Sequence, residues 1–174
     1  MSGELPTLFL IGPTGAGKTT VGRLLATRLQ RSFLDLDEEI EARSGADIPW
    51  IFDVEGEQGF RDREARVLAE LSDKPDVVIS TGAGVVLRPE NQAILMAHRE
   101  AVIWLKVDLK TQYDRLKHDK NRPLLQVDDP KAKLRQMAIE REPFYAACAG
   151  VQVQTGKANP GSVVRRILDA LGSS

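Results

Sequence analysis

Short apolar runs alternate along this chain with segments in which apolar residues recur every three or four positions. The runs have the length of buried strands, and we predict strands at residues 8–11, 33–35, 77–80, 101–106 and 151–153. The recurring pattern predicts helices at residues 19–30, 38–43, 48–54, 57–71, 91–98, 109–118, 131–149 and 162–171. Strands that are apolar throughout are typical of parallel sheets covered by helices on both faces. The alternation therefore predicts an α/β fold with a five-stranded parallel sheet.

The pattern runs on without a linker, an internal repeat or a low-complexity segment. A chain of 174 residues fits one domain, so we expect a single domain over residues 1–174. Residues 119–129 differ from the rest, because they are polar and without periodicity, contain Pro123 and are followed by Pro130. This segment is predicted to be a mobile surface loop.

A glycine-rich motif follows the first predicted strand: Gly12-Pro13-Thr14-Gly15-Ala16-Gly17-Lys18-Thr19. The backbone N–H groups of such a loop converge on phosphate oxygens, Lys18 adds an ammonium group, and Thr19 offers a hydroxyl to Mg²⁺. The positive end of the following helix adds to the attraction. The spacing predicts a P-loop that binds a nucleoside triphosphate. It leaves the group that receives the phosphoryl open.

Polar and small residues follow the second and third predicted strands. Asp35 and Asp37 would point the same way if the local chain is extended, and Gly82, Ala83 and Gly84 follow the third strand. One carboxylate beside a magnesium–nucleotide site would support the metal through water, and the other would orient an acceptor hydroxyl. The alternative is that one of them only caps the next helix. Because ligands bind at the carboxyl ends of parallel strands, these loops and the P-loop are expected to surround one cleft.

Four arginines are further candidates. Arg61 and Arg63 lie at a highly charged helix start, where a solvated surface is the expectation for Arg63 and the pattern does not separate the two. Arg141 lies between two glutamates, so an ion pair is the default interpretation. Arg122 lies in the predicted mobile loop, from which an arginine can close over a triphosphate and stabilise the transferring charge.

Composition narrows the classes of partner. The formal net charge is −1, which gives no reason to expect nucleic acid or an anionic membrane surface as a partner. Cys148 is the only cysteine, so an intramolecular disulfide is excluded and a reducing compartment is favoured. The chain has no apolar stretch of membrane-spanning length and does not begin like a signal peptide. We expect a cytoplasmic protein.

Together the motifs resemble the shikimate kinase family, which has the nucleoside-monophosphate-kinase-like P-loop fold. The resemblance extends from Leu8 to about Leu171, and it depends on the order and spacing of several motifs. These are the P-loop, Asp35 and Asp37 with Ile40-Glu41, Ile51-Phe52, Gly56-Glu57, Phe60-Arg61, residues 81–84, residues 122–125, and Arg141 before Pro143 and Tyr145. The resemblance implies a three-layer P-loop NTPase fold with a mobile lid at about residues 119–129. It also implies transfer of the γ-phosphoryl of ATP to the 3-hydroxyl of shikimate, with Mg²⁺.

The resemblance assigns the donor side of that reaction to particular residues. Thr14, Gly15, Ala16 and Gly17 belong to the ATP site, and Lys18 would contact the β- and γ-phosphates. Thr19 would bind Mg²⁺, with Asp35 as its support through water. Arg122 would be the lid arginine on ATP, and Arg115 and Pro160 would lie beside the adenine. The family often has an arginine where this chain has Ala158, so contacts to the adenine are expected to differ there.

The acceptor side is assigned in the same way. Asp37 would bind the shikimate hydroxyl groups and orient or activate the attacking one, while Arg61 and Arg141 would bind the carboxylate. Gly82, Ala83 and Gly84 would donate backbone N–H groups. The family usually has glycine at the position of Ala83, whose methyl group needs room beside the substrate and an allowed φ.

Two alternatives remain at the level of sequence. The first is another small-molecule kinase of the same fold, for gluconate or a nucleoside monophosphate. The second is a ligand-sensing module without catalysis, which the joint presence of Lys18, Thr19, Asp35, Asp37 and Arg122 disfavours. We expect a monomer that binds ATP and shikimate.

Overall fold

The fold is built on one fully parallel sheet. The computed structural model describes residues 6–119 and 125–172. The strands are β1 (Leu8–Ile11), β2 (Ser32–Asp35), β3 (Val77–Ser80), β4 (Val102–Lys106) and β5 (Val151–Gln154). Their order in the sheet is β2-β3-β1-β4-β5, and all paired strands are parallel. The predicted five-stranded parallel sheet is confirmed, and β1, β2 and β3 are neighbours, as a shared cleft requires.

Helices connect the strands. They are α1 (Lys18–Leu29), α2 (Leu36–Ser44), α3 (Ile48–Leu71), α4 (Pro89–Ala97), α5 (Leu109–Leu116), α6 (Pro130–Cys148) and α7 (Pro160–Ala170). Two short 3-10 helices, Val85–Leu87 and Arg99–Ala101, were not predicted. Apart from these, the predicted helices are present with ends shifted by a few residues.

Alternation along the strands produces the three layers. In β1, Phe9 and Ile11 face one apolar core, which α3, α4 and α6 cover, whereas Leu8 and Leu10 face another, which α1 and α7 cover. Side chains of successive strand residues point to opposite faces, so an apolar strand needs helices on both sides. Cys148 is fully buried in the first core, as a small packing residue.

Helix α3 bends at Gly56, where φ is 74° and ψ is 177°. The two predicted helices at 48–54 and 57–71 are the two parts of α3 on either side of this residue. A positive φ favours glycine, since a Cβ atom is strained in that region. Across the bend, the guanidinium Nη2 of Arg63 lies 2.7 Å from the Oε2 of Glu55. The bend separates a part that reaches the cleft from a buried part that carries Arg61.

The chain is not extended between Asp35 and Asp37, so the condition for the two side chains to alternate along a strand is not met, although both line the same cleft. Asp35 has extended backbone angles and caps α2, whose first turn contains Asp37. The Oδ1 of Asp35 accepts a hydrogen bond of 3.1 Å from the N–H of Glu38. A capping aspartate and the acidic residues after it favour a helix start at this point, because they interact with the positive end of the helix.

Candidate active site

The P-loop has the backbone geometry that its glycines allow. Gly12 has a φ of 144°, and a Cβ atom there would lie 2.4 Å from the carbonyl oxygen of Leu105. Gly17 has a φ of 92° and precedes α1 without a side-chain cap. The first N–H groups of α1 therefore face the loop, as in anion sites at helix N-termini.

Lys18 is held over this loop by backbone carbonyl groups. Its Nζ donates hydrogen bonds to the carbonyl oxygens of Gly12, at 2.7 Å, and Pro13, at 2.9 Å. The side chain is buried, with 8% of the residue surface exposed. The ammonium group is thus fixed near the loop before any phosphate arrives.

Thr19 and Asp35 form a direct pair beside the P-loop. The hydroxyl of Thr19 donates to the Oδ2 of Asp35 at 2.9 Å, while the other carboxylate oxygen caps α2. Asp35 is therefore both the cap of α2 and a residue of the cleft. A hydroxyl and one carboxylate fit Mg²⁺, which usually binds one or two protein oxygens, substrate phosphates and water. No cluster of three or more metal-binding side chains is found in the described ranges.

One cleft of about 560 Å³ joins the loops that follow β1, β2 and β3. The predicted site residues that line it are Thr14, Gly15, Gly17, Lys18, Thr19, Asp35, Asp37, Gly82 and Ala83. Ala16 differs, because its side chain is buried in the core beneath α1. The expectation of a shared cleft is confirmed.

An inner pocket adjoins this cleft and shares Thr14, Asp37, Ile48, Gly82 and Ala83 with it. Its other polar lining residues are Arg61, Glu64 and Arg141, and its apolar lining includes Ile48, Phe52, Phe60, Leu125 and Met137. We use the name inner pocket for this set of residues.

Arg61 and Glu64 form a buried ion pair in the wall of the inner pocket. The Nη1 of Arg61 lies 2.9 Å from the Oε1 of Glu64, and their exposed fractions are 6% and 0%. Burial raises the pKa of the Glu64 carboxyl, and the neighbouring Arg61 opposes that rise. The structure thus separates the two arginines that the charge pattern did not, since Arg63 pairs with Glu55 nearer the surface.

Glu64 was missed by the sequence reasoning. It lies among the charged residues around Arg63, one turn after Phe60 and one turn before Leu68. That spacing places it on the apolar face of α3. A carboxylate on such a face, three residues after an arginine, is the signal that could have found the pair.

Arg141 is also buried, with 5% exposed, and the expected ion pair with its neighbouring glutamates is wrong. No carboxylate in the described part of the chain lies within 4 Å of it in a salt bridge. Burial lowers the pKa of Arg141, and the nearby positive charge of Arg61 adds to this effect. The Glu140 and Glu142 side chains are exposed on the outer side of α6.

Three buried polar atoms of the inner pocket have no hydrogen-bond partner among the described residues. They are the Nε of Arg61, the Oε2 of Glu64 and the Nε of Arg141. Buried polar groups in native proteins are nearly always satisfied by protein or by a bound molecule. Their concentration in one pocket indicates a polar ligand site.

The 82–84 loop forms another wall of this pocket. Its Gly84 lies so close to Arg61 that a Cβ atom would be 2.3 Å from the Nη2 of the guanidinium. Ala83 does not have a positive φ, so its methyl group meets no backbone penalty, and the residue is partly exposed in the pocket. The carbonyl oxygen of Ala83 accepts a hydrogen bond of 2.5 Å from the Tyr145 hydroxyl.

Residues of α5 contact the outer side of the P-loop. The Nη1 of Arg115 donates to the carbonyl oxygen of Gly15 at 2.7 Å, and its Nη2 donates to that of Gly156 at 2.6 Å. Gln112, which the sequence reasoning did not select, is buried and donates to the carbonyl oxygen of Thr14 at 2.8 Å. Arg115 thus links the P-loop to the loop before α7, where Pro160 is the exposed first helical residue.

Neither Arg115 nor Pro160 lines the cleft, and the candidate adenine contacts remain predictions. Arg122 lies outside the described residues, as does most of the first half of the predicted lid. Asp119, at the beginning of that segment, lines the cleft, and Leu125 lines the inner pocket.

A protein-family model described as shikimate kinase matches residues 14–172. The chain belongs to the shikimate kinase family. It is 51% identical to the shikimate kinase of Legionella pneumophila (strain Corby) over 168 residues, which is 97% of this chain and 95% of that relative. It is also 51% identical to the shikimate kinase of Halorhodospira halophila over 164 residues, or 94% of this chain and 92% of the relative.

Solved structures of shikimate kinases have the same fold. A shikimate kinase from Acinetobacter baumannii in complex with shikimate is 44% identical, with a TM-score of 0.91 over 95% of this chain and 92% of that chain. The shikimate kinase from Aquifex aeolicus is 35% identical, with a TM-score of 0.83 over 95% of this chain and 96% of that one. A gluconokinase from Sinorhizobium meliloti, 17% identical with a TM-score of 0.54, shares the fold alone. Within the described ranges of this shikimate kinase family member, no helix has the length and apolar character to cross a bilayer.

Proposed function

We propose that this protein transfers the γ-phosphoryl group of ATP to the 3-hydroxyl group of shikimate, giving ADP and 3-phosphoshikimate. Membership of the shikimate kinase family makes the chain an ATP-dependent small-molecule kinase of aromatic amino-acid and chorismate biosynthesis. The observation that carries the choice of acceptor is the inner pocket. It places two buried arginines and three unpartnered polar atoms beside Asp37, next to a P-loop.

On the donor side, the P-loop binds the triphosphate of ATP. Backbone N–H groups of residues 14–17 and the first turn of α1 receive the phosphate oxygens, and Lys18 offsets charge on the β- and γ-phosphates. When bound with ATP, Mg²⁺ supplies further charge neutralisation, with Thr19 as its ligand and Asp35 as its support through water. The 2.9 Å contact between these two side chains supports that assignment.

On the acceptor side, Arg61 and Arg141 bind the carboxylate of shikimate, and Asp37 accepts a hydrogen bond from the hydroxyl group that attacks. Arginine is suited to this task because its planar group matches a carboxylate. Glu64 fixes Arg61 by accepting a hydrogen bond from its Nη1. Phosphoryl transfer needs little covalent help from the protein, so the contribution of these residues is position and charge.

We place the N–H groups of Gly82, Ala83 and Gly84 among the donors to shikimate. None of the three donates to a backbone carbonyl oxygen within the described ranges. Arg115 and Pro160 are proposed beside the adenine, with support from the contacts of Arg115 at the P-loop rim.

The lid is proposed to be the segment 119–129, from which Arg122 stabilises the transferring phosphoryl group. Leu125 packs with Leu116 and Leu134, and Leu116 lies against Gly15 of the P-loop, so the described end of this segment is already next to the nucleotide site. Amide exchange across 119–129 is expected to slow when nucleotide and shikimate are both bound, because closure shields the backbone. Measurement by mass spectrometry would use α7 as the internal reference, and unchanged exchange in 119–129 contradicts closure.

A coupled assay of ADP release tests the function directly. Turnover is expected with ATP and shikimate, is lost when EDTA removes divalent cations, and returns with Mg²⁺. Gluconate and nucleoside monophosphates serve as rival acceptors, and preference for one of them would contradict the proposal. Calorimetric binding of shikimate without turnover would instead support a sensing module.

Gly84 offers a specific test of the acceptor side. Gly84→Ala is expected to raise KM for shikimate roughly 10- to 100-fold, because the new Cβ displaces Arg61 and weakens a charged contact. KM for ATP should stay near the wild-type value. Gly161→Ala is the matched control, since its Cβ would meet its nearest atom at an ordinary 3.4 Å. Equal KM for shikimate in the two variants would contradict the assignment.

For location and assembly we propose the cytoplasm and a monomer. The single cysteine, Cys148, is buried and forms no disulfide, in keeping with a reducing compartment. The cleft is assembled from loops of one chain. Light scattering during gel filtration tests the monomer.

A further inference from the structure

Tyr145 is a buried tyrosine that the proposed mechanism does not use. It lies on α6, has 1% of its surface exposed, and packs against Trp104 with ring centroids 5.6 Å apart. Its hydroxyl donates a hydrogen bond of 2.5 Å to the carbonyl oxygen of Ala83. The contact joins residues that are 62 positions apart in sequence, so the fold brings them together.

The contact determines the direction of a peptide group in the inner pocket. The peptide between Ala83 and Gly84 is trans. In a trans peptide the C=O of one residue and the N–H of the next point in opposite directions. Because the Ala83 carbonyl points to Tyr145 in the interior, the N–H of Gly84 points away from the interior. Gly84 lies on the pocket wall beside Arg61, so its N–H points to the ligand side.

The position of Tyr145 on α6 connects this peptide to a charged group. Arg141 lies four residues earlier and therefore on the same face of the helix. Pro143, between them, removes one backbone N–H from α6, but it lies on the exposed side, where water can satisfy the freed carbonyl group. One face of α6 thus presents both an arginine of the inner pocket and the hydroxyl behind the 82–84 loop.

We propose that Tyr145 is a positioning residue for acceptor binding: its hydroxyl holds the Ala83 carbonyl so that the Gly84 N–H faces the carboxylate end of the acceptor. The proposal rests on the proposed function, because it names the residue behind that same site. Burial raises the pKa of Tyr145, so the hydroxyl stays protonated and able to donate a hydrogen bond at neutral pH. The ring is held by Trp104 and the core. The substitution of phenylalanine removes one oxygen atom, which contacts the Ala83 carbonyl and also interacts with Arg141, so amide exchange at residues 82–84 is the readout specific to the Ala83 contact.

The chain offers a matched control, since it has two tyrosines. The ring of Tyr113, on α5, lies under Lys131, with the Nζ 4.6 Å from the centroid, and outside both the cleft and the inner pocket. Tyr145→Phe and Tyr113→Phe delete the same atom. Only Tyr145→Phe is expected to weaken binding of the acceptor.

The test combines binding and kinetics on the full chain. Tyr145→Phe is expected to raise the Kd and KM for shikimate about 3- to 10-fold, the value of one hydrogen bond, with KM for ATP and kcat within about twofold of wild type. Amide exchange in the peptide that contains residues 82–84 should become faster without shikimate. Tyr113→Phe should match wild type in every measurement.

The outcomes separate the possible failures. A Tyr145→Phe variant with wild-type shikimate affinity overturns the inference alone. An equal rise in KM for ATP and for shikimate, together with a lower melting temperature, also overturns the inference, because it indicates a structural role. If the wild-type protein itself does not bind shikimate, both the proposed function and this inference are overturned.

Discussion

Lys18→Met is expected to lower kcat by about 10²–10³-fold, the cost of removing one preorganised charged donor from a transition state. Methionine has a similar length but cannot donate to the carbonyl oxygens of Gly12 and Pro13, which Lys18 contacts at 2.7 and 2.9 Å. The measurement is kcat at saturating ATP and shikimate, with a thermal melt to verify folding.

Lys110→Met is the control for that experiment. Lys110 is exposed on α5, and its loss should leave kcat unchanged. A Lys18→Met protein that is folded and retains more than about a tenth of wild-type kcat would contradict the role given to Lys18.

Glu64→Ala is expected to destabilise the protein by about 3–5 kcal/mol, since it removes the buried partner of Arg61 and leaves the half-exposed Glu57, whose Oε1 lies 3.6 Å from the Nη2 of Arg61. For a chain of this size, such a loss lowers the melting temperature on the order of 10 °C. Binding of shikimate should weaken as well, because Arg61 loses the contact that fixes its Nη1. Chemical denaturation and calorimetry measure the two effects.

The control for Glu64 lies two residues earlier. Asp62 also pairs with an arginine, Arg88, but its side chain is 61% exposed. Exposed pairs contribute about 0–1 kcal/mol, so Asp62→Ala should change stability little. Similar effects of the two substitutions would mean that the burial of Glu64 is not what matters.

The donor half of the site was predictable because local sequence determines it. The P-loop motif stands between an apolar strand and an amphipathic helix, and the conformations of Gly12 and Gly17 depend on the residues themselves. The alternation of apolar residues also predicted the sheet and its two covered faces. Strand order beyond the neighbouring β1, β2 and β3 depends on packing between distant segments and was not predicted.

The acceptor half of the site was harder to predict from the sequence. Charge patterns alone do not tell a buried arginine from an exposed one, and Arg61 was separated from Arg63 only by family resemblance. Glu64 and Tyr145 were missed because their partners are fixed by the tertiary structure, at the inner pocket and at Ala83. For Asp35 the sequence left a choice between a helix cap and a cleft residue, because it does not show that one carboxylate both caps α2 and contacts Thr19.

The contact between Gly84 and Arg61 also bears on how such a protein can evolve. Any side chain at residue 84 would collide with the guanidinium of Arg61. Most single substitutions there would therefore abolish binding of the present acceptor before binding of a different acceptor could evolve. Ala83 is partly exposed and already carries a methyl group without backbone strain. Drift in acceptor preference, and resistance to competitive inhibitors, should therefore accumulate at residue 83 and leave residue 84 unchanged.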